Sequence, residues 1–295
     1  MPELPDVQLY VEAMQERLCG EPLQALRISS PFLLRTVTPG PSELHGRTVA
    51  GVSRLGKRIV LEFDNAVYAV IHLMIAGRLF WRKTGCAIPR GRGLAAFDFA
   101  HGSLLYTEVS KKKRASLHLV DGDQALAAFD RGGIEVLECG LEKFSQVLTR
   151  ENHTLKRVLT DPTLFSGIGN AYSDEILFRA RLSPFRQTRN LRAEEIADLY
   201  HAVVQVLETW TQRLRDALKS GFPEKVTAFH PEMAVHGKYR QPCPECGAPV
   251  QRIVYAEREC NYCARCQTGG RVLADRALSR LLKQNWPHSI DEPEG

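Results

Sequence analysis

Pro2 and Glu3, in the opening run Met1, Pro2, Glu3, Leu4, Pro5, Asp6, are the residues of this chain best suited to covalent chemistry. An initiator methionine is normally trimmed ahead of a residue as small as proline, so the mature chain is expected to begin with a secondary amine beside a carboxylate. An α-amino group titrates near about 8 and a lysine near about 10.4. At neutral pH far more of the terminal nitrogen is therefore unprotonated and able to attack a carbonyl-like carbon, with an iminium as the product. The plainer alternative is that Pro2 is a common second residue and that Pro5 and Asp6 only open the first helix.

Five of the eight cysteines fall between residues 243 and 266. Cys243 with Cys246 and Cys263 with Cys266 form CxxC-x16-CxxC, and Gly247 follows the first pair directly. Two tight turns at the ends of a β-hairpin would bring four thiolates into the tetrahedron of a closed structural zinc site, one zinc per chain. Cys260 offers a competing pair with Cys263, but Cys266 followed by Gln267 makes the more symmetrical ribbon, so Cys260 is read as a bystander. Residues 250–262 would form the hairpin, with Arg258 near its middle. Cys19, Cys86 and Cys139 are scattered and read as small apolar fillers.

Gly167, Gly169 and Asn170 precede a helical segment. Two glycines there let backbone N–H groups approach a phosphate, and the Asn170 side chain adds a donor. Lys57 follows Gly56 at the edge of a strand, and His72 ends another. Taken singly they are an exposed turn lysine and a satisfied strand histidine. Lys111, Lys112, Lys113 and Arg114 make an uninterrupted basic run, which alone is a solvated loop.

These residues need elements to hold them. After Pro5, Val7, Val11, Met14 and Leu18 recur at helical spacing, and Gly20 follows where a helix would end. From about residue 23 to 120 the texture changes to short strands at 58–63, 66–73, 94–99, 103–107 and 115–120, as in a β-sandwich. A helical half follows, with helices expected near 124–131, 141–150, 154–160 and 170–180. The clearest helix is expected over 193–219, where Leu199, Val203, Val206, Trp210, Leu214 and Leu218 line one core-facing stripe.

The 295 residues, 44% hydrophobic and 25% charged, fit two or three compact units of an ordinary globular protein. No apolar run is long enough for a membrane helix and no secretory leader opens the chain, so a cytoplasmic location with no membrane partner is expected. The net charge of +5 is a mild bias toward polyanions.

The motifs follow one another in a particular order: the Pro-Glu-Leu-Pro run at residues 2–5, Gly56 and Lys57 before a strand, His72 with Leu73, the Gly-Ile-Gly-Asn-Ala-Tyr run at residues 167–172, and Tyr262 with Cys263, Cys266 and Gln267. From residue 2 to residue 267 the chain resembles the formamidopyrimidine-DNA glycosylase and endonuclease VIII family. The resemblance implies an α+β multidomain fold: an N-terminal helix plus β-sandwich (1–122), a helical domain with a helix-two-turn-helix (123–234), and a zinc-ribbon finger (235–268), then a C-terminal extension (269–295). It implies a monomer that binds double-stranded DNA containing oxidised bases or abasic sites in the cleft between its domains, with the damaged base flipped out.

Carried over by position, Pro2 would attack the deoxyribose C1′ and Glu3 would supply the proton for ring opening. Lys57 resembles the family lysine of β-elimination and phosphate contact, and Arg258 the finger arginine of δ-elimination. His72, Asn170, Gly167, Gly169, Lys111 and Arg114 fall at positions implied to contact DNA. Leu4, where endonuclease VIII proteins typically carry glycine, inclines the choice to bifunctional excision of oxidised purines (8-oxoguanine, formamidopyrimidines) with AP-lyase activity. The alternatives are an endonuclease VIII-like enzyme for oxidised pyrimidines or single-stranded DNA, and a catalytically silent damage-binding protein. Pro2, Glu3, Lys57 and Arg258 together argue against the last, because binding alone needs neither a free amine nor its acid partner.

The chain departs from the family pattern in three places. Asp6 stands where the family usually has Glu. Ile75, beside Met74, falls where a Met commonly fills the void left by the flipped nucleotide. The basic run of residues 111–114 replaces an Arg-x-Phe wedge and holds no aromatic. Beyond Gln267 an amphipathic stretch through Leu273, Ala277, Leu278, Leu281 and Leu282 continues to Gly295, and a lesion-capping loop is expected within residues 221–232.

Overall fold

A computed structural model describes the chain except residues 219–220, 225–229, 256–257, 275–288 and 291–295, and describes only the backbone of Tyr255 and Arg258. The chain divides into two compact units, Met1–Arg131 with Trp210–Ala228, and Gly132–Thr209 with Phe229–Gly295.

In the first unit, Pro5 sits in the opening turn of helix α1 (Leu4–Leu18), where a missing N–H costs nothing because the first amides have no intrahelical partner. Val7, Tyr10, Val11, Met14 and Leu18 form its buried face. Each is worth roughly 1.5–3 kcal/mol when fully buried. Gln15 ties the solvent-side edge to the sandwich by donating from Nε2 to the Val52 carbonyl at 2.8 Å.

The sandwich has two four-stranded antiparallel sheets. One runs β1 (Ala25–Ile28), β6 (Gly93–Phe99), β7 (Gly102–Glu108), β5 (Gly77–Arg82), and the other β2 (Val49–Leu55), β3 (Arg58–Phe63), β4 (Val67–His72), β8 (Ser116–Asp121). Ile59, Leu61, Ile71 and Leu117 face Leu79, Phe97 and Leu104 across one core that α1 also enters. The opposite face of the second sheet is covered too: Val60, Tyr68, Val70 and Val120 pack with Leu126 and Phe129. Burial on both faces explains why β3 and β4 read as continuous apolar runs rather than as alternating strands. Leu126 lies on α2 (Gly122–Ala127). β1, β2 and β5 add to the strands expected from sequence.

In the second unit, α3 (Leu141–Leu148), α4 (Leu155–Leu159) and α5 (Asn170–Arg179) precede α6 (Ala193–Leu218), close to the spans expected. The last residues of α6, from Trp210, belong to the first unit. There Arg215 clasps Glu12 of α1 with Nε to Oε2 at 3.0 Å and Nη2 to Oε1 at 2.5 Å. Between α4 and α5 the chain makes a turn at Asp161, whose carbonyl accepts from the amides of Leu164 and Phe165, and then a second turn through Gly167 at φ +78°. This is a helix, two turns and a helix. β9 (Val250–Tyr255) and β10 (Arg258–Cys263) pair as an antiparallel hairpin, followed by the short helix α7 (Ala264–Thr268). Among the described residues no helix is long and apolar enough to cross a membrane.

Of the extension after Gln267, Leu273 is buried and its amide donates to the Tyr262 hydroxyl at 2.7 Å. Ile290 returns to donate to the Gly270 carbonyl at 3.0 Å and packs against the ribbon. Ala277, Leu278, Leu281 and Leu282 lie outside the described residues, as does the middle of the loop expected to cap the lesion.

Candidate active site

Pro2 and Glu3 lead into α1 and are both buried, Glu3 at 2% exposure. The Glu3 amide donates to Asp6 Oδ2 at 2.9 Å, which fixes the backbone just ahead of the helix. The other oxygen, Asp6 Oδ1, is buried without a hydrogen-bond partner. Burial pushes the Asp6 carboxyl up to about 7, opposed by the Glu3 amide bond and reinforced by the Glu3 charge. Burial also lowers the terminal amine, here that of Met1; the charges of Glu3 and Asp6 oppose the shift, while Arg78 and Lys57 add to it. One carboxyl that retains its proton near neutrality thus lies in the electrostatic field of an amine that gives its proton up more readily.

Lys57 occupies the two-residue turn between β2 and β3, after Gly56 at φ +62°, and the pair Leu55 and Arg58 closes that turn. His72 ends β4 opposite Ser116, and its carbonyl accepts from the buried Tyr106 hydroxyl at 2.7 Å. Burial, with Arg58, Lys57 and His118 nearby, lowers His72 to about 4, so its imidazole is neutral at physiological pH. The turn after it is tight. The Gly77 amide bonds to the Leu73 carbonyl at 2.9 Å, and a Cβ on Gly77 would stand 2.2 Å from that oxygen, so only glycine fits. Met74 takes φ +53° and Ile75 is 57% exposed at the tip.

Arg78, which sequence reasoning did not single out, follows this turn and donates to the Gly77 carbonyl at 2.6 Å. It shares the neighbourhood of the terminal amine, Asp6 and Tyr10. The basic run also has an unforeseen anchor in Glu108. This buried carboxylate accepts from the Arg114 amide at 3.0 Å and the Ala115 amide at 3.2 Å, while Lys113 folds back onto the Glu108 carbonyl. Lys111, Lys112 and Arg114 are exposed. An acidic residue at the end of a strand just before a basic run was the available signal.

In the second unit Gly167 and Gly169 are buried, and Asn170 opens α5. The Asn170 side-chain nitrogen donates to the Glu259 carbonyl at 2.7 Å, so the helix start is tied to the ribbon hairpin. Below it lies Asp174, fully buried and in contact with the Lys156 ammonium, with the His236 Nδ1 at 2.8 Å and with the Asn261 amide at 3.1 Å. Burial alone would raise Asp174, but Lys156 and His236 hold it below the ordinary carboxylate value. Lys156 also donates to the Asn170 carbonyl at 2.7 Å. Arg258 opens β10 opposite Tyr255, the last residue of β9, near the middle of the hairpin's sequence; its side chain lies outside the described residues.

The thiols of Cys243, Cys246, Cys263 and Cys266 all lie within 4.8 Å of one another. Cys243 and Cys266 are 3.9 Å apart and Cys246 and Cys263 3.4 Å. A tetrahedral ion with metal–sulfur bonds of about 2.3 Å needs sulfurs about 3.8 Å apart, so the four fit a metal. Cys260 is buried instead among Ile253, Tyr262 and Leu273, apart from that cluster. The second pair lies at the end of the hairpin, where Cys263 closes β10 and Cys266 sits in α7. Gln267 braces it, accepting from the Cys263 amide at 2.8 Å and donating to the Leu182 carbonyl at 2.9 Å.

A buried Pro-Glu terminus on a β-sandwich, a helix-two-turn-helix and a four-thiol ribbon define a multidomain enzyme built to work on DNA. Residues 1–128 match the formamidopyrimidine-DNA glycosylase N-terminal domain and residues 136–218 the formamidopyrimidine-DNA glycosylase H2TH domain. The chain is 32% identical to the formamidopyrimidine-DNA glycosylase of Syntrophomonas wolfei, over 90% of this chain and 100% of that one, and 31% identical to that of Thermus thermophilus, over 92% and 100%. It is similar in structure to a Lactococcus lactis enzyme in complex with DNA containing an abasic site, with a TM-score of 0.80 and 26% identity over 90% of this chain and 99% of that one. The chain belongs to the formamidopyrimidine-DNA glycosylase family, and so to the DNA glycosylases of base-excision repair.

Proposed function

We propose that this chain excises oxidised purines from double-stranded DNA and then cleaves the strand, with Pro2 as the nucleophile. The observation that carries the reading is the burial of Pro2 and Glu3 together at the start of α1, where burial lowers the terminal amine. With Met1 removed, the Pro2 nitrogen attacks C1′ of the flipped nucleotide as the C1′–base bond breaks. Loss of the N–H proton, and protonation of the ring oxygen by Glu3, open the sugar to an iminium. Removal of a C2′ proton then expels the 3′ phosphate, and a second elimination expels the 5′ phosphate. Lys57 serves the first elimination and phosphate contact, and Arg258 the second.

His72, Asn170, Lys111 and Arg114 hold the strand, with the amides around Gly167 and Gly169 at its phosphates. Cys243, Cys246, Cys263 and Cys266 would hold one structural zinc, which contributes folding energy to the ribbon and no chemistry to the reaction. The experiment is borohydride trapping on abasic duplex DNA. The mature protein should form a stable covalent adduct and a form with a retained N-terminal tag should not. An adduct of equal yield with the blocked protein rejects Pro2.

A further inference from the structure

Extruding a nucleotide leaves a gap in the duplex, and proteins that kink DNA commonly fill such gaps with an apolar side chain. The basic loop at 109–115 has no aromatic residue to offer. The structure places one nearby, on a segment remote in sequence. Ser30, Pro31, Phe32 and Leu33 form a tight turn closed by the Leu33 amide on the Ser30 carbonyl at 3.1 Å. Pro31 stands at its second position, where the fixed φ of proline pre-organises a turn. Phe32 stands at its third, 69% exposed, although Leu33 beside it is buried at 1%. An aromatic presented to water on a rigid turn gains nothing for the fold.

Its position follows from strand register. Leu34 bridges Leu117 in parallel, with the Leu117 amide on the Leu33 carbonyl and the Arg35 amide on the Leu117 carbonyl, both at 2.9 Å. Stepping back from Leu34 to Phe32 therefore runs alongside the step from Leu117 to Ala115, toward Arg114. Ser116 in turn pairs with His72. His72, the head of β8 and the Phe32 turn thus lie side by side at one end of the second sheet, at about 5 Å per strand spacing. Arg35, Lys111, Lys112 and Arg114 are all exposed around this edge, a charge pattern that suits a polyanion.

We propose that Phe32 is the aromatic that enters the duplex and stacks on a base at the lesion, in place of a wedge in the basic loop. This rests on the proposed function only in taking damaged duplex DNA as the substrate. Because Phe32 is exposed, its removal does not threaten folding.

The test uses the full-length protein and a duplex carrying a stable tetrahydrofuran abasic analogue with 2-aminopurine opposite it. Wild-type binding should change the 2-aminopurine emission. Phe32→Ala should lose most of that change and weaken duplex binding about tenfold, as removal of one base-stacking aromatic does, with the salt dependence unaltered because no charge is lost. Phe32→Trp should restore affinity, with its own indole emission quenched on the duplex. Val37→Ala, exposed further along the same segment, should change neither.

Unchanged affinity and 2-aminopurine signal in Phe32→Ala, in a wild-type background that traps abasic DNA, overturn the inference and leave the proposed function standing. Loss of both signals in Phe32→Ala, with no borohydride adduct from the wild type, supports Phe32 and overturns the chemistry assigned to Pro2.

Discussion

The Glu3 amide donates to Asp6 Oδ2 at 2.9 Å, and the partner oxygen of that carboxyl is sealed away without a hydrogen bond. Burial of this shortened side chain holds Asp6 up to about 7, against an ordinary value of 3.8. Between those values the unfolded chain releases a proton that the folded chain keeps, so the Asp6 contribution to stability falls as pH rises from about 4 to about 7 and is level above. Asp6→Asn removes this loss while its amide oxygen still accepts from Glu3. The melting temperature of the variant relative to wild type should be several degrees more favourable at pH 8 than at pH 5. A difference that does not change with pH contradicts the account.

Lys57 and His72 should separate in their response to salt. Lys57 carries a charge, and each phosphate it neutralises adds roughly 0.9 to the slope of log affinity against log salt. His72, lowered to about 4, stays neutral from pH 6 to 8 and can contribute only a hydrogen bond. Lys57→Met should therefore reduce the slope by about one. His72→Gln should weaken binding several-fold with the slope intact at both pH values. Titrations at four salt concentrations read both effects, and an equal loss of slope in His72→Gln would show that the ring binds as a cation.

The thiol cluster predicts zinc stoichiometry by position. Cys266→Ser should lose the metal, while Cys260→Ser should retain one zinc per chain, since Cys260 packs in an apolar cluster away from the other four. Metal analysis of the two purified variants decides this, and the reverse pattern would reassign the ligands.

Asp174 neutralises Lys156 inside the second unit and also accepts from His236 and Asn261. Asp174→Leu leaves the Lys156 ammonium half-buried and unpaired, which should cost about 3–5 kcal/mol. Lys156→Met combined with Asp174→Leu should recover part of that loss, because both partners are then apolar. Chemical denaturation of the single and double variants measures the coupling, and strict additivity would mean that the pair does not interact.

The parts of the site legible in the sequence are those whose chemistry depends on residue type at a fixed short spacing. Pro2 beside Glu3, the paired cysteines and the glycines before Asn170 needed no knowledge of distant residues. Asp174, Lys156 and His236 act through partners that only the fold brings together, from positions 156, 174 and 236. Arg78 escaped notice because its neighbours, the N-terminus and Asp6, are more than seventy positions earlier in the chain. Strand β2 was invisible for a local reason, since the irregularity between Val49 and Gly51 breaks the alternation that marks a half-buried strand. Phe32 was passed over because one exposed aromatic in a turn carries no periodic signal.

The central claim is that the Pro2 nitrogen forms the covalent bond to sugar. Peptide mapping by mass spectrometry of the borohydride-reduced adduct with abasic duplex DNA tests it directly. The account predicts that the sugar remnant is attached to the peptide beginning at Pro2, with Lys57 unmodified. A remnant on the Lys57 side chain, with a free Pro2 amine in the same adduct, would contradict it.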